Sequence, residues 1–140
     1  MMRLEHINLV VRDIPETLHF YQAAFPTWKV RSHGTGEWSG KKRNWLHFGD
    51  DYHYLAFSDN GVGENRDLAG HQTGLAHFAY TTDEIQSVID RLEAAGYPAL
   101  KSGPDNPFRR NVYFIDPNGF EVEFVQYFSD KPEERNNELS

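Results

Sequence analysis

Two histidines and one glutamate lie in segments whose neighbours are mostly apolar or β-branched. His6 lies within LEHINLVV, His77 within LAHFAY and Glu123 within FEVEFV. Taken singly, each has an ordinary structural explanation, because a strand histidine is usually hydrogen bonded within the fold and an alternating glutamate usually points to solvent. Two imidazoles and one carboxylate are also the facial ligand set of a divalent metal ion that keeps open positions for a substrate.

The two histidine segments are copies of one pattern. LEHINLVVRDI and LAHFAYTTDEI align with their histidines in register, about seventy residues apart, which is longer than the period of solenoid repeats. Equivalent positions of a duplicated unit converge when the units pack around a pseudo-twofold axis, so the repeat favours the metal interpretation. A carboxylate that faced a cleft without a cation would carry a large desolvation cost.

A helical pattern follows each histidine segment. The predicted apolar faces are Ile14, Leu18, Tyr21 and Phe25 in the first copy, and Ile85, Val88, Ile89 and Leu92 in the second. Asp13 is expected to cap the first helix. Thr81 and Glu84 fit a capping box for the second, with Thr82 and Asp83 as alternative caps, and Gly96 suits the position after its last turn.

Three strand-like segments follow each helix. They are 29–31, 44–48 and 52–58 in the first half, and 99–101, 111–115 and 120–127 in the second. The last two are joined by DPNG, which favours a type I turn. The glycine-rich residues 34–40 miss the GxGxxG spacing and precede no helical pattern, so they are expected to be a mobile loop. The order is therefore strand, helix and three strands, written twice.

Composition and charge exclude several classes of protein. The formal net charge of −7 argues against a general nucleic-acid role, which needs a basic surface. No stretch approaches the roughly 18 to 20 apolar residues that span a membrane, and the first residues lack the apolar core of a signal peptide. With zero cysteines, a metal site must use nitrogen and oxygen ligands, which suit Fe, Mn, Ni and Zn alike. A cytoplasmic protein is expected.

From Leu4 to about Tyr127 the chain resembles the vicinal oxygen chelate superfamily, which includes glyoxalase I, fosfomycin-resistance transferases, extradiol dioxygenases and bleomycin-binding proteins. The motifs that carry the resemblance are the strand with His6, the LAH of the strand with His77, and YFIDPNGFEVE, which ends at Glu123. In the family the carboxylate ligand lies four residues after the turn glycine, which is Glu123 and not Glu121.

The resemblance implies an α+β fold of two βαβββ modules in tandem, whose curved mixed sheets form a metal-binding cleft. One domain over residues 1–128 is expected, with module one at about 1–60, a linker at about 61–73 and module two at about 74–128. Residues 129–140 are charged and expected to be a disordered tail. The family also implies a homodimer, with His6, His77 and Glu123 holding one divalent metal ion within one chain or across two.

Departures from the family bear on the reaction. Glyoxalase I-like members have a fourth ligand where this chain aligns Ala56, so strict glyoxalase I activity is in doubt. Tyr113 matches a substrate-side tyrosine of the fosfomycin-resistance transferases, but their serine-rich potassium loop and C-terminal arginine are absent. A ring-cleaving dioxygenase would need a further histidine and tyrosine near the metal, and spacing does not place the candidates His47, His53, Tyr54 and Tyr113. Packing at edges and surfaces explains these four equally well.

The remaining candidates are substrate contacts. Lys101, Arg109 and Arg110 are placed to neutralise an anionic substrate, and Trp38 to cover one, although ordinary packing of the tryptophan is the simpler explanation. The expected function is a metal-dependent enzyme acting on a small substrate with adjacent oxygens, either a glyoxalase-like lyase or isomerase or a ring-cleaving dioxygenase. The alternative is a metal-free protein of the bleomycin-resistance type that binds a drug or metabolite.

Overall fold

The computed structural model describes residues 1–138, which form two compact units with the boundary between Glu64 and Asn65. Unit 1 contains β1 (His6–Val10), α1 (Ile14–Ala24), β2 (Lys29–Trp38), β3 (Lys41–Gly49) and β4 (Tyr54–Ser58). Unit 2 contains β5 (Phe78–Thr81), α2 (Ile85–Ala94), β6 (Lys101–Ser102), β7 (Arg109–Ile115), β8 (Glu121–Tyr127) and α3 (Pro132–Arg135). The predicted α+β class and the order of strand, helix and three strands are confirmed in both units.

Each unit has a four-stranded mixed sheet of the same topology. The strand orders are β1-β4-β3-β2 and β5-β8-β7-β6. The first strand of each unit runs parallel to the last, and the other neighbours are antiparallel. In unit 1 this topology places β1, which begins at His6, beside β4. In unit 2 it places β5, which begins one residue after His77, beside β8, which carries Glu123.

One face of each sheet packs on its helix and forms the core. In unit 1 the ring of Phe57 on β4 lies 5.5 Å from that of Tyr21 on α1. In unit 2 helix α2 packs against β8, where Val122 and Phe124 are buried. Because successive strand residues point to opposite faces, alternate residues of the same strands lie on the other side, which we call the far face.

Helix α1 begins as predicted at an aspartate cap. The Asp13 carboxylate accepts a hydrogen bond from the backbone N–H of Glu16 at 2.8 Å, which satisfies one of the free donors of the first turn. Ile14 and Tyr21 are buried as predicted, whereas Leu18 and Phe25 are only half-buried. The other buried residues of the helix are Thr17, Phe20 and Ala24.

Helix α2 buries its predicted apolar face, but the predicted capping box does not form. Its N-cap residue Glu84 makes no side-chain capping bond. Instead, Thr82 Oγ1 accepts from the Glu84 N–H at 3.1 Å, and Gln126 Oε1 on β8 accepts from the Ile85 N–H at 3.1 Å. The start of α2 therefore has one local contact, from the alternative cap Thr82, and one tertiary contact, from Gln126. Gly96 follows the helix with φ +96°, as a left-handed terminating residue requires.

The glycine-rich segment is a strand, so the prediction of a mobile loop at residues 34–40 was wrong. Strand β2 extends to Trp38 and pairs with β3, with one irregularity between Val30 and Ser32, and Ser39 and Gly40 form the turn. A methyl group built on Gly34 would lie 2.8 Å from Cζ2 of Trp45, its cross-strand partner. The indole ring therefore occupies the space that a side chain at Gly34 would fill.

The turn before β8 forms as predicted. The Gly119 N–H donates to the Asp116 carbonyl at 3.0 Å, and Gly119 has φ +86°. The buried Asp116 carboxylate accepts from the N–H groups of Asn118 and Phe120 at 2.8 and 2.9 Å. These bonds fix where β8 starts, and hence which side chains of β8 reach the far face.

The C-terminal segment, for which the sequence predicted a disordered tail, contains a short helix. Helix α3 follows β8, and the Arg135 guanidinium lies 4.1 Å above the Tyr127 ring. Residues 139 and 140 of the expected tail lie outside the described residues. Within residues 1–138, no helix combines the length and apolar character needed to cross a membrane.

Candidate metal centre

Glu123 lies on the far face of unit 2, in the register that its predicted role needs. It pairs with Ala79 on β5 and with Tyr113 on β7, and only 8% of it is exposed. His77 precedes β5 by one residue and lies two positions before Ala79, so the strand alternation gives both the same face. Unit 2 by itself thus supplies one imidazole and one nearly buried carboxylate on one face of its sheet.

Glu121 is a neighbour of His77, not a second copy of Glu123. Its Oε2 lies 3.5 Å from His77 Nδ1, and its Oε1 lies 3.7 Å from Lys101 Nζ. A carboxylate at Nδ1 orients an imidazole and leaves Nε2 to a metal ion, which is a common arrangement around metal-binding histidines. The structure therefore gives the two glutamates of β8 different surroundings.

Tyr113 contacts Glu123 directly. Its hydroxyl accepts a hydrogen bond from Asn111 Nδ2 at 3.2 Å, and its cross-strand partner is Glu123, whose carboxylate is close enough to affect the Tyr113 hydroxyl. Burial raises the pKa of the Tyr113 hydroxyl, and the charge of Glu123 and the hydrogen bond to it raise this pKa further. Lys101 Nζ lies 4.9 Å above the Tyr113 ring. Of the predicted substrate-side residues, Tyr113 thus lies beside the predicted carboxylate ligand, and Lys101 lies over the Tyr113 ring.

In unit 1, His6 lies on the far face at the start of β1. Its Nδ1 is 2.8 Å from Glu5 Oε1, so it too has a carboxylate at Nδ1. Its ring stacks on that of Tyr54, with centroids 4.6 Å apart and an interplanar angle of 9°. Both predicted histidine ligands therefore have the same type of orienting partner, in the two copies of the repeat.

The register also identifies what stands in unit 1 at the position of Glu123. His6 pairs with Tyr54 and Asn8 with Ala56, so Ala56 is two residues beyond the partner of His6. Extending the β5–β8 register by one residue makes Glu121 the partner of His77, and Glu123 is likewise two residues beyond it. Ala56 is therefore the counterpart of Glu123, and unit 1 provides no carboxylate there.

His47 is the functional candidate that spacing in the sequence left unplaced. His47 on β3 lies opposite Ala56 on β4, just as Tyr113 on β7 lies opposite Glu123 on β8. Its ring stacks on Tyr54 at 4.5 Å, on the side of the sheet that carries His6. Burial lowers the pKa of the His47 imidazole, and the charges of Arg31 and His6 lower it further, so the ring is neutral near pH 7. By contrast, His53 precedes β4 and lies beside Asp50 at 3.7 Å.

A cavity of about 420 Å³ in unit 2 adjoins the carboxylate. Its lining residues are Pro104, Asn106, Arg109, Asn111, Tyr113, Glu123, Val125, Tyr127 and Glu138. Arg109, a predicted substrate contact, donates there to the carbonyls of Arg135 and Asn137 at 3.3 and 2.9 Å and lies 3.3 Å from Glu138. The guanidinium thus binds the C-terminal segment at the wall of the cavity.

Unit 1 has a larger cavity, of about 620 Å³, beside the β2–β3 hairpin. It is lined by Thr35, Gly36, Glu37, Lys42, Arg43, Asn44 and Asp59, and by none of the predicted site residues, all of which lie within residues 1–138. Trp38, the predicted cover of a substrate, ends β2 with the Arg43 guanidinium 5.2 Å from its ring. Size alone is a poor guide here, because the smaller cavity holds the buried carboxylate.

The donor set fits a divalent ion. Imidazole nitrogen and carboxylate oxygen are borderline-to-hard ligands that suit first-row metals, and the carboxylate at each Nδ1 orients the histidines for coordination. No group of three or more His, Asp or Glu side chains among the described residues is arranged to hold a metal ion. Each unit by itself supplies only part of the predicted ligand set: unit 2 contains His77 and Glu123, and unit 1 contains His6.

Comparison with known proteins gives the family. The chain matches the Glyoxalase/Bleomycin resistance protein/Dioxygenase superfamily over residues 3–124, and it belongs to this superfamily. The predicted resemblance to the vicinal oxygen chelate proteins is thereby confirmed.

Solved structures of several superfamily proteins share the fold. A glyoxylase/bleomycin resistance protein/dioxygenase domain from Frankia sp. EAN1pec is 18% identical with a TM-score of 0.75, over 98% of this chain and 99% of that chain. A variant of the fosfomycin resistance protein FosX from Listeria monocytogenes, complexed with Mn(II) and 1S,2S-dihydroxypropylphosphonic acid, is 19% identical with a TM-score of 0.73, over 97% and 98%. A glyoxalase family protein from Enterococcus faecalis is 19% identical with a TM-score of 0.69, over 88% and 96%.

Proposed function

We propose that this protein is a divalent-metal-dependent enzyme that acts on a small substrate with adjacent oxygens, and that His6, His77 and Glu123 are its metal ligands. The observation that carries the proposal is Glu123, a residue that is only 8% exposed and that lies opposite Tyr113 at the wall of a cavity. Burying a carboxylate is costly unless a cation or several donors compensate it, and a divalent ion would do so.

The orienting partners of the histidines support the same site. A histidine whose Nδ1 faces a carboxylate presents Nε2 to a ligand, and both His6 and His77 have this arrangement although they lie in different units. The two partners have different origins, since Glu5 precedes His6 in the chain whereas Glu121 lies on the neighbouring strand β8. Each proposed ligand would come from the first or last strand of a unit, either within one chain or between the chains of the homodimer that the family implies.

A bound divalent ion would act as a Lewis acid on the adjacent oxygens of the substrate. The protein groups around it would handle protons and orientation. His47, neutral near pH 7 and on the far face with His6, is placed to accept a proton from a substrate, a role that Ala56 cannot fill. Tyr113 holds Glu123 through its hydroxyl, and Lys101, beside Glu121, would place a positive charge near an oxygen of the substrate.

Among the reactions of the superfamily, this arrangement favours those in which a histidine base removes a proton from a hydroxyl or from a carbon next to a carbonyl. Both a glyoxalase-like isomerisation and the cleavage of a dihydroxylated ring require the removal of such a proton. Mn(II) is the first ion to try, since the FosX complex contains it, with Fe, Ni and Zn as the other candidates.

The experiment that tests the function is a turnover assay on protein reconstituted separately with Mn²⁺, Fe²⁺, Ni²⁺ and Zn²⁺. Small vicinal diols, 2-hydroxy ketones and catechols would serve as substrates, with wild type compared to His6→Ala. The proposal predicts turnover with at least one ion and its loss in His6→Ala. A wild type that binds one of these compounds, turns over none, and binds it equally well after His6→Ala would instead be a metal-free binding protein.

A further inference from the structure

We propose that Asn111 is a positioning residue for the metal centre, acting through Tyr113 on Glu123, and that Gly103 is required to accommodate it. This inference rests on the proposed role of Glu123 as a ligand. The residues involved form a row in unit 2 that runs from the β6–β7 connection to β8: Gly103, Asn111, Tyr113 and Glu123.

The first step is the direction of the Tyr113 proton. A phenol oxygen has one O–H to donate and lone pairs that accept. Asn111 Nδ2 donates to the Tyr113 oxygen at 3.2 Å, which occupies a lone pair on the Asn111 side. The O–H is then left to point toward Glu123, the cross-strand partner of Tyr113 on β8, which lines the same cavity. Asn111 thus sets the orientation of a hydroxyl that would otherwise be free to rotate.

The second step is the effect on the carboxylate. A Glu123 oxygen that accepts from Tyr113 is fixed in place, and the remaining lone pairs are left for an ion. Groups hydrogen bonded to a metal ligand typically account for 10-fold to 100-fold in metal affinity, because they hold the ligand in its binding orientation. Asn111, one bond further away, contributes by restricting Tyr113.

The third step is the space that the asparagine needs. A methyl group built on Gly103 would overlap the Asn111 side-chain amide, at both its oxygen and its nitrogen. The two residues are also joined along the backbone, since the Gly103 N–H donates to the Asn111 carbonyl at 3.0 Å. The glycine is therefore explained by close approach of the amide, and Gly103→Ala would displace Asn111 while leaving its side chain chemically intact.

The row is confined to one unit. In unit 1 the position that corresponds to Asn111 is Trp45, opposite Ser58, and the position of Tyr113 is His47. An indole ring cannot reproduce a short amide donor, and the counterpart of Glu123 there is Ala56. The asparagine is thus present in the unit that has a carboxylate to position.

The experiment is a titration of metal-free protein with Mn²⁺, followed by the loss of the free-ion electron paramagnetic resonance signal. Four proteins are compared: wild type, Asn111→Leu, Tyr113→Phe and the double variant. We expect Asn111→Leu to weaken Mn²⁺ binding about 10-fold and Tyr113→Phe at least as much. In the Tyr113→Phe background, Asn111→Leu should have an effect of about 2-fold or less, because its path to Glu123 is already gone.

Gly103→Ala is a second route to the same displacement and should weaken binding in the same direction as Asn111→Leu. Asn44→Leu is the matched control, since the Asn44 amide in β3 donates to Asp59 at 2.8 Å and has no contact with the row. It should bind Mn²⁺ like the wild type. Circular dichroism of each variant checks folding, and Asn111→Ser replaces Asn111→Leu if the latter does not fold, with the same expected loss.

The outcomes separate this inference from the proposed function. If wild type binds Mn²⁺ and Asn111→Leu binds it equally well, or if its loss adds in full to that of Tyr113→Phe, Asn111 does not act through Tyr113. If wild type binds no Mn²⁺, and no Fe²⁺, Ni²⁺ or Zn²⁺ by dialysis, the metal centre itself is wrong and the positioning role is overturned with it.

Discussion

His47 and Ala56 face each other across β3 and β4, in the positions that Tyr113 and Glu123 occupy across β7 and β8. One sheet therefore presents an imidazole beside a methyl group where the other presents a phenol beside a carboxylate. Because the two units share one topology, this difference is a substitution at matched sites and not a change of fold. The repeat has been kept as a scaffold while the chemistry of its two copies has diverged.

The state of His47 predicts a pH dependence of stability. Burial, followed by the charges of Arg31 and His6, lowers the pKa of His47 in the folded protein below its ordinary value of 6.5. The unfolded chain then binds more protons than the folded one between these two pKa values, so the free energy of unfolding falls as the pH falls through this window. Urea unfolding of metal-free protein between pH 7.5 and 5.5 should show a decrease that is smaller in His47→Gln. His19→Gln, on the exposed side of α1, should behave like wild type. An equal decrease of the free energy of unfolding in all three proteins would mean that the pKa of His47 is not lowered in the folded protein.

The two glycines of β2 predict opposite effects of alanine. A methyl group on Gly34 would lie 2.8 Å from the Trp45 ring, whereas one on Gly36 would have no atom within 4 Å. Gly34→Ala should therefore lower the free energy of unfolding by about 1 kcal/mol or more through overpacking. Gly36→Ala should leave it unchanged or raise it by up to about 1 kcal/mol, since alanine restricts the unfolded chain. Thermal unfolding of the two variants gives the comparison, and equal melting temperatures would show that Trp45 moves aside without cost.

Arg109 is predicted to hold the C-terminal segment. Its guanidinium donates to two backbone carbonyls, and its contact with Glu138 adds little because the Glu138 side chain is 84% exposed. Arg109→Gln should speed hydrogen exchange of the amides of residues 134–137 roughly tenfold or more, because both charge-assisted bonds are lost. Arg110→Gln is the matched control, because the Arg110 guanidinium donates instead to Gln86 at 2.9 Å. Exchange that is the same in both variants would mean that α3 is held by its other contacts, such as Arg135 on Tyr127.

The parts of the fold that the sequence predicts well are those with strong periodicity. The apolar face of α2 appears in full at Ile85, Val88, Ile89 and Leu92, all of which are buried. The repeat itself is visible because its histidines and capping positions recur. The β2–β3 hairpin was missed because Gly34 and Gly36 have no side chain to show the alternation, and their pairing is determined by the opposite strand. Helix α3 was missed because its segment has low apolar content and is held by contacts that the sequence does not show, with the distant Arg109 and with the nearby ring of Tyr127.

For the candidate site, composition and repeat symmetry identify His6, His77 and Glu123, but not their neighbours. Placing His47 requires the register of β3 on β4, which depends on the turn between them. In that turn the Asp50 carboxylate accepts from the N–H groups of Tyr52 and His53 at 2.8 and 2.7 Å. A slip of one residue would have put His47 on the helix side of the sheet. Sequence spacing does not determine such a turn. The sequence therefore names His47 as a candidate but does not locate it in the sheet.

The most direct test of the metal centre is the metal content of wild type, Glu123→Ala and Glu93→Ala after anaerobic purification and reconstitution. Glu93 is an exposed residue of α2 and serves as the matched glutamate. A three-ligand site predicts a metal content of about one ion per chain in wild type and in Glu93→Ala. In Glu123→Ala it predicts near-complete loss of the bound metal. Equal metal content in all three proteins, or none in wild type with Mn²⁺, Fe²⁺, Ni²⁺ or Zn²⁺, would contradict it.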